Sequence, residues 1–214
     1  MNNNWTIAPQ DVFAISPIIP VMVIERLEDA IPMAKALMEG GISIFEITLR
    51  TPVALEAMTL IANELPQALV GAGTVLTCAQ YDAAVQAGAK FAISPGMSPS
   101  LLLHAQQGTV PLIPGVATPS EIMQALELGY DHLKFFPAEA YGGAQTLKAI
   151  SAPLPQVTFC PTGGINTANV IEYKTVKSVA TIGGSWMLPK DLIAQGQWEE
   201  ITKLTKEAVT LLSN

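Results

Sequence analysis

Lys134 stands in the middle of a short apolar stretch, His-Leu-Lys-Phe-Phe-Pro at 132–137, followed at once by Ala-Glu-Ala-Tyr-Gly-Gly. Flanked by Leu133, Phe135 and Phe136, its amine is expected to be poorly hydrated, which disfavours the ammonium form. A free amine is a nucleophile, and in water only about one lysine in 2,500 is neutral at pH 7, so such a position suits Schiff-base chemistry. It equally suits a lysine that reaches out from a strand end or pairs with a buried carboxylate. In Ile-Phe-Glu-Ile-Thr-Leu-Arg at 44–50, strand alternation puts Glu46, Thr48 and Arg50 on one face. Glu46 without a partner among apolar groups is costly, so that face is assigned to the interior of a sheet, with Arg50 at the rim and Glu46 deeper. A buried Glu–Lys or Glu–Arg ion pair that only fixes the interior satisfies the same pattern. Thr74, Ser94 and Thr162 end other strand-like runs and point to the same mouth. Two late glycine pairs, in Thr162-Gly163-Gly164 and Gly183-Gly184-Ser185, offer unhindered backbone N–H groups to an anion, although a lone pair is usually just a turn. A lysine, a carboxylate, an arginine and hydroxyls around an anion cradle suit a phosphorylated 2-oxo acid. Arg50 would hold the carboxylate with two parallel bonds while Lys134 attacks the adjacent ketone.

The elements that must position these groups alternate regularly. Apolar runs predict strands at 17–23, 44–49, 68–72, 91–94, 110–114, 132–136, 157–161 and 179–182. Helical periodicity predicts helices at 27–38, 52–65, 79–87, 99–106, 119–128, 144–150, 167–174 and 198–212. Short, mostly apolar strands fit a parallel sheet covered on both faces. Eight βα units in 214 residues predict an α/β protein, a single (β/α)8 TIM barrel with a short N-terminal helical segment, spanning 1–214 as one domain. An open doubly wound sheet would normally carry its phosphate-binding glycines after the first strand, and 17–26 contains none. The glycine pairs instead follow the seventh and eighth predicted strands, where barrels often bind phosphate.

Half of the residues are hydrophobic and only 14% are charged, so the chain can enclose a large core. No apolar run approaches the ~20 residues needed to cross a bilayer. The opening Met-Asn-Asn-Asn-Trp-Thr-Ile lacks the basic start and continuous apolar core of a leader, so a cytoplasmic protein without membrane partners is expected. Cys78 and Cys160 are expected to be packing thiols. The histidines, His104 and His132, form no metal-ligand pattern, so no metal and no cofactor are expected. A net charge of -7 argues against nucleic acid and makes any anion site a local construction. With only two arginines, Arg26 and Arg50, the placement of Arg50 carries weight.

The ordered motifs resemble one family. Phe-Glu-Ile-Thr-Leu-Arg at 45–50, Gly-Ala-Gly-Thr-Val at 71–75, Phe-Ala-Ile-Ser-Pro-Gly at 91–96, Pro-Gly-Val-Ala-Thr-Pro-Ser-Glu at 114–121, Lys-Phe-Phe-Pro-Ala-Glu at 134–139, Cys-Pro-Thr-Gly-Gly-Ile at 160–165 and Gly-Gly-Ser-Trp at 183–186 are similar to those of the 2-keto-3-deoxy-6-phosphogluconate (KDPG) and 4-hydroxy-2-oxoglutarate (KHG) aldolases. The resemblance implies Lys134 as Schiff-base lysine and Glu46 as acid/base. It implies Arg50, Thr74 and Thr162 as holders of the pyruvyl carboxylate, Pro95 and Phe136 as pocket walls, and Gly163, Gly164, Gly183, Gly184 and Ser185 as the phosphate cradle. It also implies a small 2-oxo acid as substrate and a cytoplasmic homotrimer. Galactonate-type branches end the first strand with Leu-Arg, whereas this chain reads Val21-Met22-Val23-Ile24. That difference favours the gluconate/hydroxyglutarate branch and removes one cation from the mouth. Two other readings of the same residues are a phosphate-binding barrel epimerase or isomerase, with Glu46 as base and Lys134 only electrostatic, and a non-catalytic metabolite-binding barrel.

Overall fold

Runs rich in Ile, Val and Phe become parallel strands in the computed structural model, which describes residues 4–213. Three residues of the opening stretch, 1–3, therefore lie outside the described residues. The chain begins with helix α1 (Pro9–Ala14), the expected N-terminal helical segment, and continues through β1 (Ile18–Met22), α2 (Ala30–Glu39), β2 (Ile44–Thr48), α3 (Ala54–Glu64) and β3 (Leu69–Gly73). Next come α4 (Cys78–Gln86), β4 (Phe91–Ile93), α5 (Pro99–Gln107), β5 (Leu112–Ile113), β6 (Gly115–Val116) and α6 (Pro119–Glu127). The last part holds β7 (His132–Phe135), α7 (Gly143–Ser151), β8 (Thr158–Pro161), α8 (Val170–Lys174), β9 (Ile182–Gly184), α9 (Lys190–Ala194) and α10 (Trp198–Ser213). Among the described residues no helix is long and apolar enough to cross a membrane.

The strands form a curled parallel arrangement in an α/β fold. Six of them lie in the order β5-β4-β3-β2-β1-β9 and three in the order β6-β7-β8. Pro114 separates β5 from β6, and a parallel bridge between Thr162 and Gly183 links the end of β8 to β9. The strand expected at 110–114 is thus shortened to β5, and pairing resumes only past its end, as β6: proline has no N–H for a ladder bond, while its carbonyl still accepts from Lys134 N–H at 2.9 Å. The predicted strand at 179–182 is displaced. Val179 makes only an isolated bridge to Phe159, and the strand itself is Ile182–Gly184, so Gly183 and Gly184 belong to the sheet rather than to the loop after it.

Local sequence explains the helix starts. In α6, Thr118 and Glu121 form a capping box and Pro119 occupies the first turn. Thr77 caps α4 by accepting from Gln80 N–H. The predicted helix at 27–38 starts instead as a 3-10 turn, Leu27–Asp29, where Arg26 grips Asp29 through two 2.8 Å bonds. Along the strands, Phe45, Ile47, Leu133 and Phe135 are fully buried on the face opposite Glu46 and Lys134. The inner face of β3 is bare: a Cβ on Gly71 would enter the ring of Phe91, and one on Gly73 would stand 2.3 Å from Glu46 Oε1. Those two glycines make room for an aromatic plug and, one pleat higher, for a carboxylate.

Candidate active site

Lys134 lies in the interior of β7, with Gly115 of β6 on one side and Cys160 of β8 on the other. Glu46 lies in the middle of β2, opposite Gly71. Across the interior, Lys134 Nζ donates to Glu46 Oε1 at 3.1 Å, with side chains only 6% and 1% exposed. The lysine Nζ also sits 5.2 Å from the centroid of the Phe136 ring, within the range of a cation–π contact. A buried pair of this kind is weak evidence for stability, because desolvation offsets much of the attraction. What sets this pair apart is its position at the floor of an open cavity of about 310 Å³.

All twelve site residues expected from the sequence line that cavity: Glu46, Arg50, Thr74, Pro95, Lys134, Phe136, Thr162, Gly163, Gly164, Gly183, Gly184 and Ser185. Val21 and Ile165 complete the wall. Sequence reasoning did not assign these two to the site, since an aliphatic residue in an apolar run carries no chemical signal. Thr48 shares the parity of Glu46, and its buried hydroxyl donates to Met22 O at 3.0 Å. One expectation fails. Ser94 spends its hydroxyl on the turn that follows, donating to Gly96 O at 2.6 Å, rather than facing the mouth.

Arg50 lies two residues beyond the end of β2, its N–H turned back to Thr48 O, so it stands at the rim. Its guanidinium makes no hydrogen bond or ion pair with the described residues, which leaves its planar fork available to a ligand. Thr74 has φ +59°, the only non-glycine residue with positive φ among those described. A β-branched side chain in that region is strained by about 1–3 kcal/mol. Strain held at a cavity wall points to a role for the conformation itself. Thr162 stands beside Cys160, whose sulfur lies 3.9 Å from the threonine hydroxyl. Burial pushes the Cys160 thiol up to about 12, against the opposing pull of the Lys134 charge, so the thiol stays neutral beneath the pair.

The glycine end is built from the absence of side chains. Gly163 and Gly164 have φ of +104° and +78°, a backbone conformation that other residues rarely adopt. Asn166 and Asn169 pin this turn by donating to Gly164 O at 3.3 and 3.2 Å. A Cβ on Gly183 would stand 2.2 Å from Thr162 Oγ1, and one on Gly184 would enter the Trp186 ring. Arg50 and Lys134 are the only cations of the lining and Glu46 the only anion. A ligand with a carboxylate at the Arg50 end and a second anion at the glycine end would place its middle over Lys134.

Residues 10–204 match the sequence profile of the KDPG and KHG aldolases. The chain is 50% identical over 206 residues to the KHG/KDPG aldolase of Escherichia coli K12, covering 96% of this chain and 97% of that one. It is 48% identical over 209 residues to the 2-dehydro-3-deoxy-phosphogluconate aldolase of Pseudoalteromonas atlantica, covering 98% and 97%. Among solved structures, the KDPG aldolase of Legionella pneumophila, with pyruvate captured at low pH as a covalent carbinolamine intermediate, superposes with a TM-score of 0.94 at 54% identity, covering 96% of this chain and 99% of that one.

Proposed function

The chain belongs to the KDPG and KHG aldolase family, and from that premise we propose that it is a class I aldolase that cleaves 2-keto-3-deoxy-6-phosphogluconate to pyruvate and glyceraldehyde 3-phosphate, and 4-hydroxy-2-oxoglutarate to pyruvate and glyoxylate. The observation that carries this reading is the 3.1 Å contact of Lys134 Nζ with Glu46 Oε1 at the floor of the cavity. Glu46 takes one proton from Lys134, and the free amine adds to C2 of the substrate. Glu46 relays protons from nitrogen to oxygen, then protonates the departing hydroxyl, so that water leaves and an iminium forms. The iminium is an electron sink. The Glu46 carboxylate accepts the C4 hydroxyl proton, the C3–C4 bond breaks, the aldehyde departs and the bonding pair remains as an enamine. Protonation of the enamine carbon and hydrolysis of the iminium then release pyruvate and restore Lys134.

Arg50 holds the pyruvyl carboxylate, with Thr74 and Thr162 beside it, while Pro95 and Phe136 wall the reacting carbons. Gly163, Gly164, Gly183, Gly184 and Ser185 receive the phosphate. No metal or cofactor takes part. The two sheets are further proposed to complete one (β/α)8 barrel over residues 1–214; the chain continuity through Pro114 and the Thr162–Gly183 bridge support that closure. A cytoplasmic homotrimer is proposed on the family resemblance. Leu76, Leu103 and Met123, each more than half exposed, give such an assembly apolar surface to cover.

Product analysis tests the activity. Incubation with each substrate should release pyruvate together with glyceraldehyde 3-phosphate or glyoxylate, and Lys134→Arg should release neither, because a guanidinium stays protonated. Isomerised substrate without pyruvate would overturn the aldolase reading.

A further inference from the structure

Glu139 opens the 3-10 turn Glu139–Tyr141 between β7 and α7. The mechanism gives it no part. Its backbone is nevertheless tied to the glycine turn: Ala138 N–H donates to Thr162 O at 2.8 Å and Glu139 N–H to Gly163 O at 3.1 Å. Its side chain lies directly behind Gly164, where a Cβ would come within 2.7 Å of Glu139 Cβ. Its Oε1 accepts a short hydrogen bond from the Tyr173 hydroxyl, 34 residues along the chain in α8. Tyr173 is 1% exposed, and burial first, then the neighbouring carboxylate, keeps its phenol protonated and therefore a donor. The pair thus clamps the turn at 163–169 between the strand that carries Lys134 and the helix that follows the turn. The cradle has no cation of its own, so its grip on an anion depends on where the N–H groups point.

We propose that the Tyr173–Glu139 pair is a positioning device that holds the Gly163–Gly164 turn ready for phosphate and so sets the preference for phosphorylated over unphosphorylated substrates. This rests on the proposed aldolase function. With the bond between the two side chains lost, the turn would be free to swing its N–H groups away from the phosphate. Such a device acts at the phosphate end only, whereas a mere brace for α8 would affect both substrates alike.

Tyr173→Phe should raise KM for 2-keto-3-deoxy-6-phosphogluconate about five- to tenfold while leaving kcat, and both constants for 4-hydroxy-2-oxoglutarate, within about twofold. Glu139→Ala, at an exposed position, should reproduce that split, and Glu139→Gln, which still accepts the phenol's bond, should restore it to near wild type. Direct binding of inorganic phosphate, followed by 31P line broadening, should weaken in Tyr173→Phe and Glu139→Ala but not in Glu139→Gln. This arm needs no turnover, so failure of the wild type to cleave the phosphorylated substrate would sink the functional reading while the role of the pair is still decided. Equal losses on both substrates, no loss on either, or unchanged phosphate binding would overturn the proposal.

Discussion

The two ends of the cavity are made in opposite ways. The floor and rim at Lys134, Glu46 and Arg50 use charged side chains, two of them buried in strand interiors. The far end at Gly163, Gly164, Gly183 and Gly184 uses bare backbone: Glu139, Thr162 and Trp186 fill the space a Cβ would need at Gly164, Gly183 and Gly184, and Gly163 holds a φ of +104°. Bond-making chemistry needs a nucleophile and a proton carrier, which only side chains supply. Holding a phosphate needs convergent N–H groups, which the backbone supplies if side chains stay out of the way. In a chain with net charge -7, a cradle of neutral N–H groups also leaves the two cations of the lining free for the pyruvyl end.

Substitutions at the two ends should therefore separate by substrate. The largest effect is expected for Glu46→Gln, which keeps the shape but cannot carry the proton: kcat should fall about 10²–10⁴-fold on both substrates. Steady-state rates on each substrate check it, and loss on one alone would break the assignment. Arg50→Lys should lower kcat/KM about ten- to a hundredfold on both substrates, because a point ammonium cannot reproduce the two-bond grip on a carboxylate. Unchanged kinetics would remove Arg50 from the pyruvyl end. Ser185→Asp places a negative charge beside the phosphate and should lower kcat/KM about tenfold for the phosphorylated substrate only. Since Ser185 is exposed, melting temperature should not change, and equal losses would mean that the cradle lies elsewhere. The smallest effect is at the cavity wall: Thr74→Asn relieves a positive φ and should raise Tm by about 2–4 °C while lowering activity. A lower Tm would show that Thr74 is not strained.

The same contrast governs what the sequence made legible. Lys134 and Glu46 stood out because charges in apolar strands demand a partner, and here each is the other's partner. The order of alternating elements followed from periodicity, yet strand bounds moved wherever a tertiary neighbour decided them. Gly183 and Gly184 read locally as a turn, but they pair with Ile19 and Pro20 of β1. Thr74 in a left-handed conformation runs against β-branched propensity, so no local rule finds it. Ser94 was misjudged for the opposite reason: its partner, Gly96 O, is two residues away, and a short local bond outcompetes the distant mouth. The Tyr173–Glu139 bond joins residues 34 positions apart, beyond the reach of any periodicity.

The central claim is that Lys134 is the nucleophile, and trapping its iminium tests that most directly. Incubation with pyruvate and borohydride should reduce the adduct to a stable secondary amine, one carboxyethyl group per chain, and peptide mapping should place it on Lys134. Exposed lysines are almost wholly protonated at neutral pH and lack the Arg50 clamp, so they should label weakly. Glu46→Gln should still trap slowly, which separates the nucleophile from the proton carrier. An adduct on Lys134 is the predicted result; an adduct on any other lysine, or none with active enzyme, would contradict it.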